Sequence, residues 1–212
     1  MFISKVLKGI KKRPLSEVGR YGVIFARYGV ILARNAVGLP NPIRSADRAT
    51  LEQVIIPAYA RRPEITTVLF VGCDWYTKHY EKMFPGRTYL TIDPDPWKSR
   101  FGSRRHIVAG LEELGAHVEP ESVDLIICNG VFGWGLDDKG DCERAFMACF
   151  DTLRPSGELV IGWNDVPDHR PFALSSLEAL ARFRPLSFEP LGTTQYLANA
   201  SNRHVFNFYV KD

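Results

Sequence analysis

Segments patterned as buried strands alternate with segments patterned as amphipathic helices from residue 64 to the end of the 212-residue chain. EITTVLFVG at 64–72 is rich in β-branched residues and ends in glycine, and SVDLIICNG at 122–130 is apolar through its middle; both are typical of buried strands. DCERAFMACFDTL at 141–153 has apolar residues at helical spacing. The alternation predicts an α/β fold with a mostly parallel sheet and helices on both faces. The other predicted segments are strands at 88–93, 106–110, 158–163, 185–191 and 204–210 and helices at 77–84 and 170–183.

The first 34 residues are strongly basic, whereas the rest of the chain is mildly acidic. They contain eight Lys or Arg residues and one acid, Glu17, which gives a net charge of about +7. Because the whole chain has a net charge of +3, the remainder carries about −4. We therefore divide the chain into a basic helical extension at 1–60 and an α/β domain at 61–212.

A heptapeptide is repeated near the N-terminus, where 20–33 reads RYGVIFARYGVILA. The pattern predicts one helix over 16–37 that ends at Gly38. Small residues recur along one side at steps of three and four, a spacing that lets another element pack closely. The opposite side carries Arg20, Arg27 and Arg34. This charged stripe excludes a transmembrane span.

The repeat and the basic segment FISKVLKGIKK at 2–12 permit three roles. The N-terminal helices can dock as a cap on their own domain or as the contact of a homodimer. Residues 1–34 can instead bind an anionic membrane surface, since 2–12 has the pattern of a basic amphipathic helix. The third reading is an ordinary core helix whose repeat has no function.

Four cysteines are widely spaced, and they form neither a C-x-x-C pair nor a cluster with histidine. This spacing argues against a disulfide scaffold and predicts no metal site. The first residues lack the long apolar run and the cleavage site of a secretory signal. We therefore expect a cytoplasmic protein, with attachment to the inner face of a membrane as the open alternative.

The ends of the predicted strands carry the residues that matter for ligand binding, because open parallel sheets bind ligands beyond their carboxyl ends. Gly72 ends the first strand, where it allows a tight turn. Asp93 ends the second strand, 21 positions later, and a carboxylate there can accept hydrogen bonds from both hydroxyls of an adenosine ribose. Gly110 and Leu111 follow the third strand and can line an adenine slot. Asn129 and Gly130 end the fourth strand.

Four sequence segments resemble the class I S-adenosylmethionine-dependent methyltransferases in type and order: VLFVGC, TID, VDLIICNGVF and LRPSGELVIGW. The resemblance covers roughly residues 64–165. It implies a Rossmann-like, doubly wound sheet of seven strands whose last strand, HVFNFYV at 204–210, is antiparallel. It also implies S-adenosylmethionine as cofactor. The residues expected to contact it are Gly72, Cys73, Asp74, Tyr76, Asp93, Gly110, Leu111, Asn129 and Gly130.

The loop after the first strand departs from the family pattern G-x-G-x-G. Asp74 and Tyr76 occupy two of the positions that usually hold glycine, and Tyr76 can instead stack over the cofactor. A nicotinamide dinucleotide fits less well, because its pyrophosphate needs G-x-G-x-x-G and would meet the carboxylate of Asp74. S-adenosylmethionine has a positive sulfonium and no phosphate, so that acid is acceptable.

Methyl transfer to a hydroxyl needs a base near the strand ends. We predict His169 or Asp165 in this role, since both follow the fifth strand. Aromatic residues in the same region suit a flat or sugar-like acceptor and are also ordinary core residues: Phe132, Trp134 and Trp163. The resulting prediction is a methyltransferase for a small or lipid- or saccharide-linked molecule.

Two other functions stay open at this point. The departure in the glycine loop allows a non-catalytic module of the same fold that docks on a membrane surface or on a protein partner. A nucleic-acid methyltransferase is less favoured, because the acidic remainder of the chain offers no extended basic track for phosphates.

Overall fold

A computed structural model describes residue 26, residues 28–41 and residues 43–212. The segment 2–12 and most of the predicted helix over 16–37 lie outside these residues. The described part includes helix α1 at 28–36. Gly38 follows it with a φ of +65°, a left-handed conformation that commonly ends helices.

The central sheet has eight strands: β1 Thr67–Val71, β2 Thr88–Ile92, β3 Arg105–Ile107, β4 Val123–Asn129, β5 Leu153–Asn164, β6 Arg184–Pro185, β7 Gln195–Asn199 and β8 His204–Val210. Their order is β3-β2-β1-β4-β5-β8-β6, with β7 paired to β8. Neighbours among β1 to β5 are parallel, and β8 is antiparallel to β5. This confirms the predicted doubly wound, mostly parallel α/β fold with an antiparallel strand at 204–210.

Helices cover both faces of the sheet. Besides α1, the α-helices are α2 Ala46–Thr50, α3 Ile56–Ala60, α4 Lys139–Thr152 and α5 Glu178–Ala181, and a π-helical segment, Leu51–Ile55, joins α2 to α3. Short 3₁₀ segments lie at Lys78–Met83, Pro96–Phe101, Leu111–Ala116, Pro167–His169, Leu174–Ser176 and Glu189–Leu191.

All seven residues of β4 are buried, which explains the continuous apolar run in the sequence. Ile126 and Cys128 pack into a core with α4 on one face, while Leu125 and Ile127 pack into a second core on the other face. Side chains along a strand alternate between faces, so this one strand supplies both cores and stands at the centre of the domain.

The segment 46–60 contributes to the second core. Leu51, Ile55, Ile56 and Tyr59 are fully buried there. The Tyr59 hydroxyl donates a hydrogen bond of 2.8 Å to Glu158 in β5. The division of the chain after residue 60 stays a prediction. Along the described residues, no helix is both long enough and apolar enough to cross a bilayer.

Three sequence predictions of local structure were wrong. The predicted strand at 185–191 overlaps only the end of the two-residue strand Arg184–Pro185 and finishes in the 3₁₀ turn Glu189–Leu191, where Pro190 could not donate a ladder hydrogen bond. The segment 170–183 is not one continuous helix, since it contains only the short helix α5 and the 3₁₀ turn Leu174–Ser176. The predicted helix at 77–84 is a 3₁₀ segment.

Candidate functional site

The carboxyl ends of the parallel strands enclose a cavity of about 710 Å³. This volume is in the range of pockets that bind cofactors and small molecules. All nine residues that the sequence predicts to contact a cofactor line the cavity: Gly72, Cys73, Asp74, Tyr76, Asp93, Gly110, Leu111, Asn129 and Gly130. The structure therefore brings together the ends of β1, β2, β3 and β4.

Gly72 makes the turn at the end of β1. Its φ is +81°, which favours glycine, and its N–H donates a 2.9 Å hydrogen bond to the carbonyl oxygen of Ile92. A Cβ added to Gly72 would lie 2.9 Å from a methyl group of Val131. A side chain is thus excluded on two grounds, and the backbone stays open to the cavity.

Asp93 is buried at the end of β2, with 9% of its surface exposed. One carboxylate oxygen accepts a 2.8 Å hydrogen bond from the N–H of Cys73, and the other accepts a 3.0 Å bond from the N–H of Asp95. An ionised carboxylate has about four acceptor positions. Asp93 therefore supports the loop that follows β1 (the β1 loop), and its carboxylate can still accept hydrogen bonds from a ligand in the cavity.

The two residues that stand in place of glycine in the loop after β1, Asp74 and Tyr76, both have specific partners. Asp74 accepts a hydrogen bond from the N–H of Trp75 at 2.7 Å and forms a 2.7 Å ion pair with Lys98. Burial lowers the pKa of Lys98, but its hydrogen bond to Asp74 and that carboxylate's charge outweigh burial and raise the pKa overall. The ring of Tyr76 lies 4.2 Å from the guanidinium carbon of Arg48. Neither residue fills the cavity, so the departure from the glycine pattern leaves it open.

Leu111 forms an apolar wall after β3. Its side chain is 4% exposed and belongs to the core on the α4 side of the sheet. Gly110 precedes it, and the N–H of Gly110 donates a 3.3 Å hydrogen bond to Glu113. The arrangement gives this end of the cavity an apolar surface beside polar backbone groups, which suits a flat heterocycle.

Asn129 and Gly130 lie at the end of β4, beside residues that sequence reasoning did not select. The Nε2 atom of His204 lies 3.1 Å from the amide oxygen of Asn129. Gly162 leaves the space for this contact, because a Cβ on it would lie 2.0 Å from that oxygen. Gly130 has a φ of +68° and donates a 2.8 Å hydrogen bond to Gly162.

Neither predicted base, Asp165 or His169, lines the cavity. Asp165 is paired with Arg170 at 2.7 Å and Arg203 at 2.8 Å. The hydrogen bond from Arg203, followed by that from Arg170, holds the pKa of Asp165 below its usual value despite some burial. His169 stacks on Trp134, with ring centres 3.8 Å apart. This geometry disfavours both residues as bases, since neither lines the cavity and Asp165 is paired with two arginines.

Of the three predicted aromatic residues, Trp134 lines the cavity. Its ring N–H donates a 3.1 Å hydrogen bond to Asn164. Phe132 and Trp163 are buried and pack edge to face in the core, with ring centres 5.6 Å apart. A flat acceptor could therefore contact Trp134, whereas the other two support the wall from behind.

Sequence reasoning missed five charged or titratable residues that line the cavity: Asp47, Arg48, Lys98, Glu112 and His204. Asp47 and Arg48 come from α2, which carries no recognisable motif. His204 begins β8 and pairs with Asn164 at the carboxyl end of β5, because β8 is antiparallel. The sequence did predict an antiparallel strand at 204–210. Because such a strand begins beside the carboxyl ends of the parallel strands, its first residue could have been assigned to the edge of the cavity. Across the described part of the chain, no group of three His, Cys, Asp or Glu residues could hold a metal ion.

No protein-family model and no curated protein sequence matches the chain. Solved structures do share its fold. The N-methyltransferase NodS from Bradyrhizobium japonicum WM9 matches with a TM-score of 0.57 at 15% identity, over 78% of this chain and 96% of that chain. A NodS structure in complex with S-adenosyl-L-homocysteine also matches with a TM-score of 0.57 at 15% identity, over 77% of this chain and 86% of that chain.

Two further methyltransferase structures match over nearly the whole chain. The 1,6-didemethyltoxoflavin-N1-methyltransferase from Burkholderia thailandensis, solved with bound 1,6-didemethyltoxoflavin and S-adenosylhomocysteine, has a TM-score of 0.56 at 18% identity, over 94% of this chain and 92% of that chain. A TehB-like methyltransferase from Corynebacterium glutamicum has a TM-score of 0.56 at 17% identity, over 92% of this chain and 100% of that chain. The chain therefore has the fold of the S-adenosylmethionine-dependent methyltransferases.

Proposed function

We propose that the protein is an S-adenosylmethionine-dependent methyltransferase that acts on a small molecule. The observation that carries this proposal is the position of Asp93, a buried carboxylate that faces the cavity and is tied to the loop after Gly72. A carboxylate in this position can hold a ribose, while the open backbone at Gly72 leaves room for the amino-acid part of the cofactor.

The charges of the cavity fit S-adenosylmethionine better than a phosphate-bearing cofactor. Four acids, Asp47, Asp74, Asp93 and Glu112, line it together with two cations, Arg48 and Lys98. Lys98 is already paired with Asp74. The remaining acidic excess favours the positive sulfonium and amino groups, and it disfavours a pyrophosphate.

When bound, S-adenosylmethionine would supply an electrophilic methyl group. The role of the chain is then to hold an acceptor in line with that group and to exclude water, and positioning of this kind can contribute much of the rate. Asp93 would fix the ribose, Leu111 would contact the adenine, and Asn129 would lie between the amino-acid part and the acceptor.

Isothermal titration calorimetry on the full chain tests the proposal. We expect S-adenosylmethionine and S-adenosylhomocysteine to bind with dissociation constants in the micromolar range, about −8 kcal/mol, and NAD to bind far more weakly. If neither sulfur ligand produces a binding isotherm, or if NAD binds more tightly than both, the proposed function is wrong.

Arg48 is the residue we assign to the carboxylate of the cofactor's amino-acid part. One guanidinium nitrogen donates a 2.9 Å hydrogen bond to the Tyr80 hydroxyl, whereas arginine has five N–H donors. We expect Arg48→Gln to weaken S-adenosylhomocysteine binding about tenfold, since a hydrogen bond to a charged partner contributes about 1.5 kcal/mol. Binding of 5′-methylthioadenosine, which lacks the amino acid, should change little.

Titration of both ligands against both proteins measures this difference. Arg44→Gln is the matched control, because Arg44 is exposed and does not line the cavity. Equal losses for the two ligands would show that Arg48 acts on the fold of the cavity and not on a carboxylate.

The remaining proposals about partners rest on the sequence alone. A lipid- or saccharide-linked acceptor, an anionic membrane surface bound through residues 1–34, a homodimer through the N-terminal helix and a cytoplasmic location stay predictions. Most of the segment that would carry the membrane and dimer contacts lies outside the described residues.

A further inference from the structure

His204 has an unusual place for a buried histidine. It is 4% exposed and lines the cavity. In the sheet, β4 lies between β1 and β5, and β8 lies beyond β5. The ribose position at Asp93 is on the β2 side, so His204 and Asn129 stand at the opposite end of the cavity. A methyl acceptor must enter at that end if the cofactor lies as proposed.

The two ring nitrogens of His204 have different surroundings. Nε2 lies 3.1 Å from the amide oxygen of Asn129, an arrangement in which Nε2 carries the proton and donates it to that oxygen. Among the described residues, no group forms a hydrogen bond with Nδ1, and Nδ1 is not one of the enclosed, unpartnered atoms. Nδ1 is therefore an unprotonated acceptor with accessible surface, in a residue that lines the cavity.

The surroundings of His204 leave its ring neutral at physiological pH. Burial is the main effect and lowers the pKa of His204 to about 4, the carboxylate of Asp47 opposes this shift, and Arg48 adds to it. Asp47 and Arg48 both belong to α2. Asn129 of β4 and Phe206 of β8, which approach the ring, are uncharged, as is Asn164, the partner of His204 in the β5–β8 ladder. A buried histidine that stays neutral can accept a proton without first losing one.

We propose that His204, oriented by Asn129, accepts the proton of a hydroxyl-bearing methyl acceptor. This inference rests on the proposed function. It names both a catalytic residue and an acceptor class, a neutral alcohol or phenol, for the cavity end formed by Asp47, Asn129, Asn164, Asn202 and His204.

In the proposed step, the acceptor hydroxyl gains the methyl group and loses its proton to His204. The hydroxyl oxygen donates an electron pair to the methyl carbon, the bond between that carbon and sulfur breaks, and its electron pair returns to sulfur. The hydroxyl proton moves to Nδ1 of His204, which becomes an imidazolium. Asp47 stabilises that charge, in accord with its effect on His204. A weak base suffices because an oxygen that gains a methyl group becomes far more acidic.

The first test is nuclear magnetic resonance of ¹⁵N-labelled histidine in the full chain with S-adenosylhomocysteine bound. His204→Gln assigns the signal. We expect one neutral tautomer at pH 7 with the proton on Nε2, and Asn129→Ala should remove this preference. A proton on Nδ1, or a charged ring at pH 7, would overturn the proposal.

The second test compares two phenols as methyl acceptors. Phenol keeps its proton near neutral pH and needs a base, whereas 4-nitrophenol ionises near neutrality. We expect His204→Gln to lower kcat about 100-fold on phenol but no more than about threefold on 4-nitrophenol, as is typical for loss of a general base. Wild-type kcat on phenol should be constant from neutral pH down to about pH 5 and fall as His204 is protonated.

The matched control is His117→Gln, because His117 is exposed and does not line the cavity. It should leave the rates on both phenols unchanged. Equal losses on the two phenols in His204→Gln would assign His204 a structural role and refute the proposal. Calorimetry with S-adenosylhomocysteine distinguishes a failure of the His204 proposal from a failure of the proposed function. Absence of binding in the wild type would refute the proposed function itself.

Discussion

Replacement of Asp93 by alanine is expected to weaken S-adenosylmethionine binding about 100-fold. Two ribose hydroxyls that donate to a charged acceptor would each contribute about 1.5 kcal/mol, and the sum of about 3 kcal/mol corresponds to that factor. The substitution also leaves the N–H of Cys73 without its 2.8 Å acceptor, so the β1 loop loses a restraint. Calorimetric titration of the variant and the wild type measures the change.

Asp95→Ala is the matched control for this prediction. Asp95 is exposed, belongs to the same loop, and accepts a 2.9 Å hydrogen bond from the N–H of Trp97 without lining the cavity. Its loss should change affinity less than about twofold, as expected for a surface substitution away from the ligand. Similar losses in both variants would show that the loop as a whole matters and that Asp93 has no specific contact with the ribose.

Replacement of Asp124 by alanine is expected to lower the free energy of unfolding by about 3 kcal/mol. Asp124 is 3% exposed at the amino end of β4. One of its oxygens accepts hydrogen bonds from the N–H of Thr67 at 2.9 Å and from the hydroxyl of Thr66 at 2.7 Å, and it also accepts from the N–H of Thr66. Alanine leaves these donors without a partner at the start of β1.

Urea denaturation with linear extrapolation measures this change. Asp151→Ala is the control, since Asp151 is an exposed acid of α4. Asp124 lies at the opposite end of the sheet from the cavity, so the folded fraction of Asp124→Ala should bind S-adenosylmethionine with wild-type affinity. Unchanged unfolding midpoints in Asp124→Ala and wild type would contradict the assigned role.

Local sequence patterns were sufficient to predict the parallel strands, the antiparallel strand at 204–210 and one half of the cavity lining. A continuous apolar run identified β4, and the alternation of elements identified the parallel strands. Because the carboxyl ends of parallel strands meet at one edge, residues such as Gly72, Asp93 and Asn129 could be assigned to one cavity without coordinates.

The other half of the site depends on contacts between distant segments, which local patterns do not contain. Arg48 reaches the cavity from α2 and contacts Tyr76, while His204 reaches it through the antiparallel pairing of β8 with β5. Asp165 follows a strand end as expected, yet it is paired with Arg170 and Arg203 and does not line the cavity. Position after a strand predicts proximity to a site, but partners decide where a side chain points.

A crystal structure of the full chain with S-adenosylhomocysteine is the most direct measurement of the central claim. We expect both ribose hydroxyls to lie within hydrogen-bonding distance of the Asp93 carboxylate, with the adenine against Leu111. A nucleoside bound elsewhere, or a ribose with no contact to Asp93, would contradict the claim.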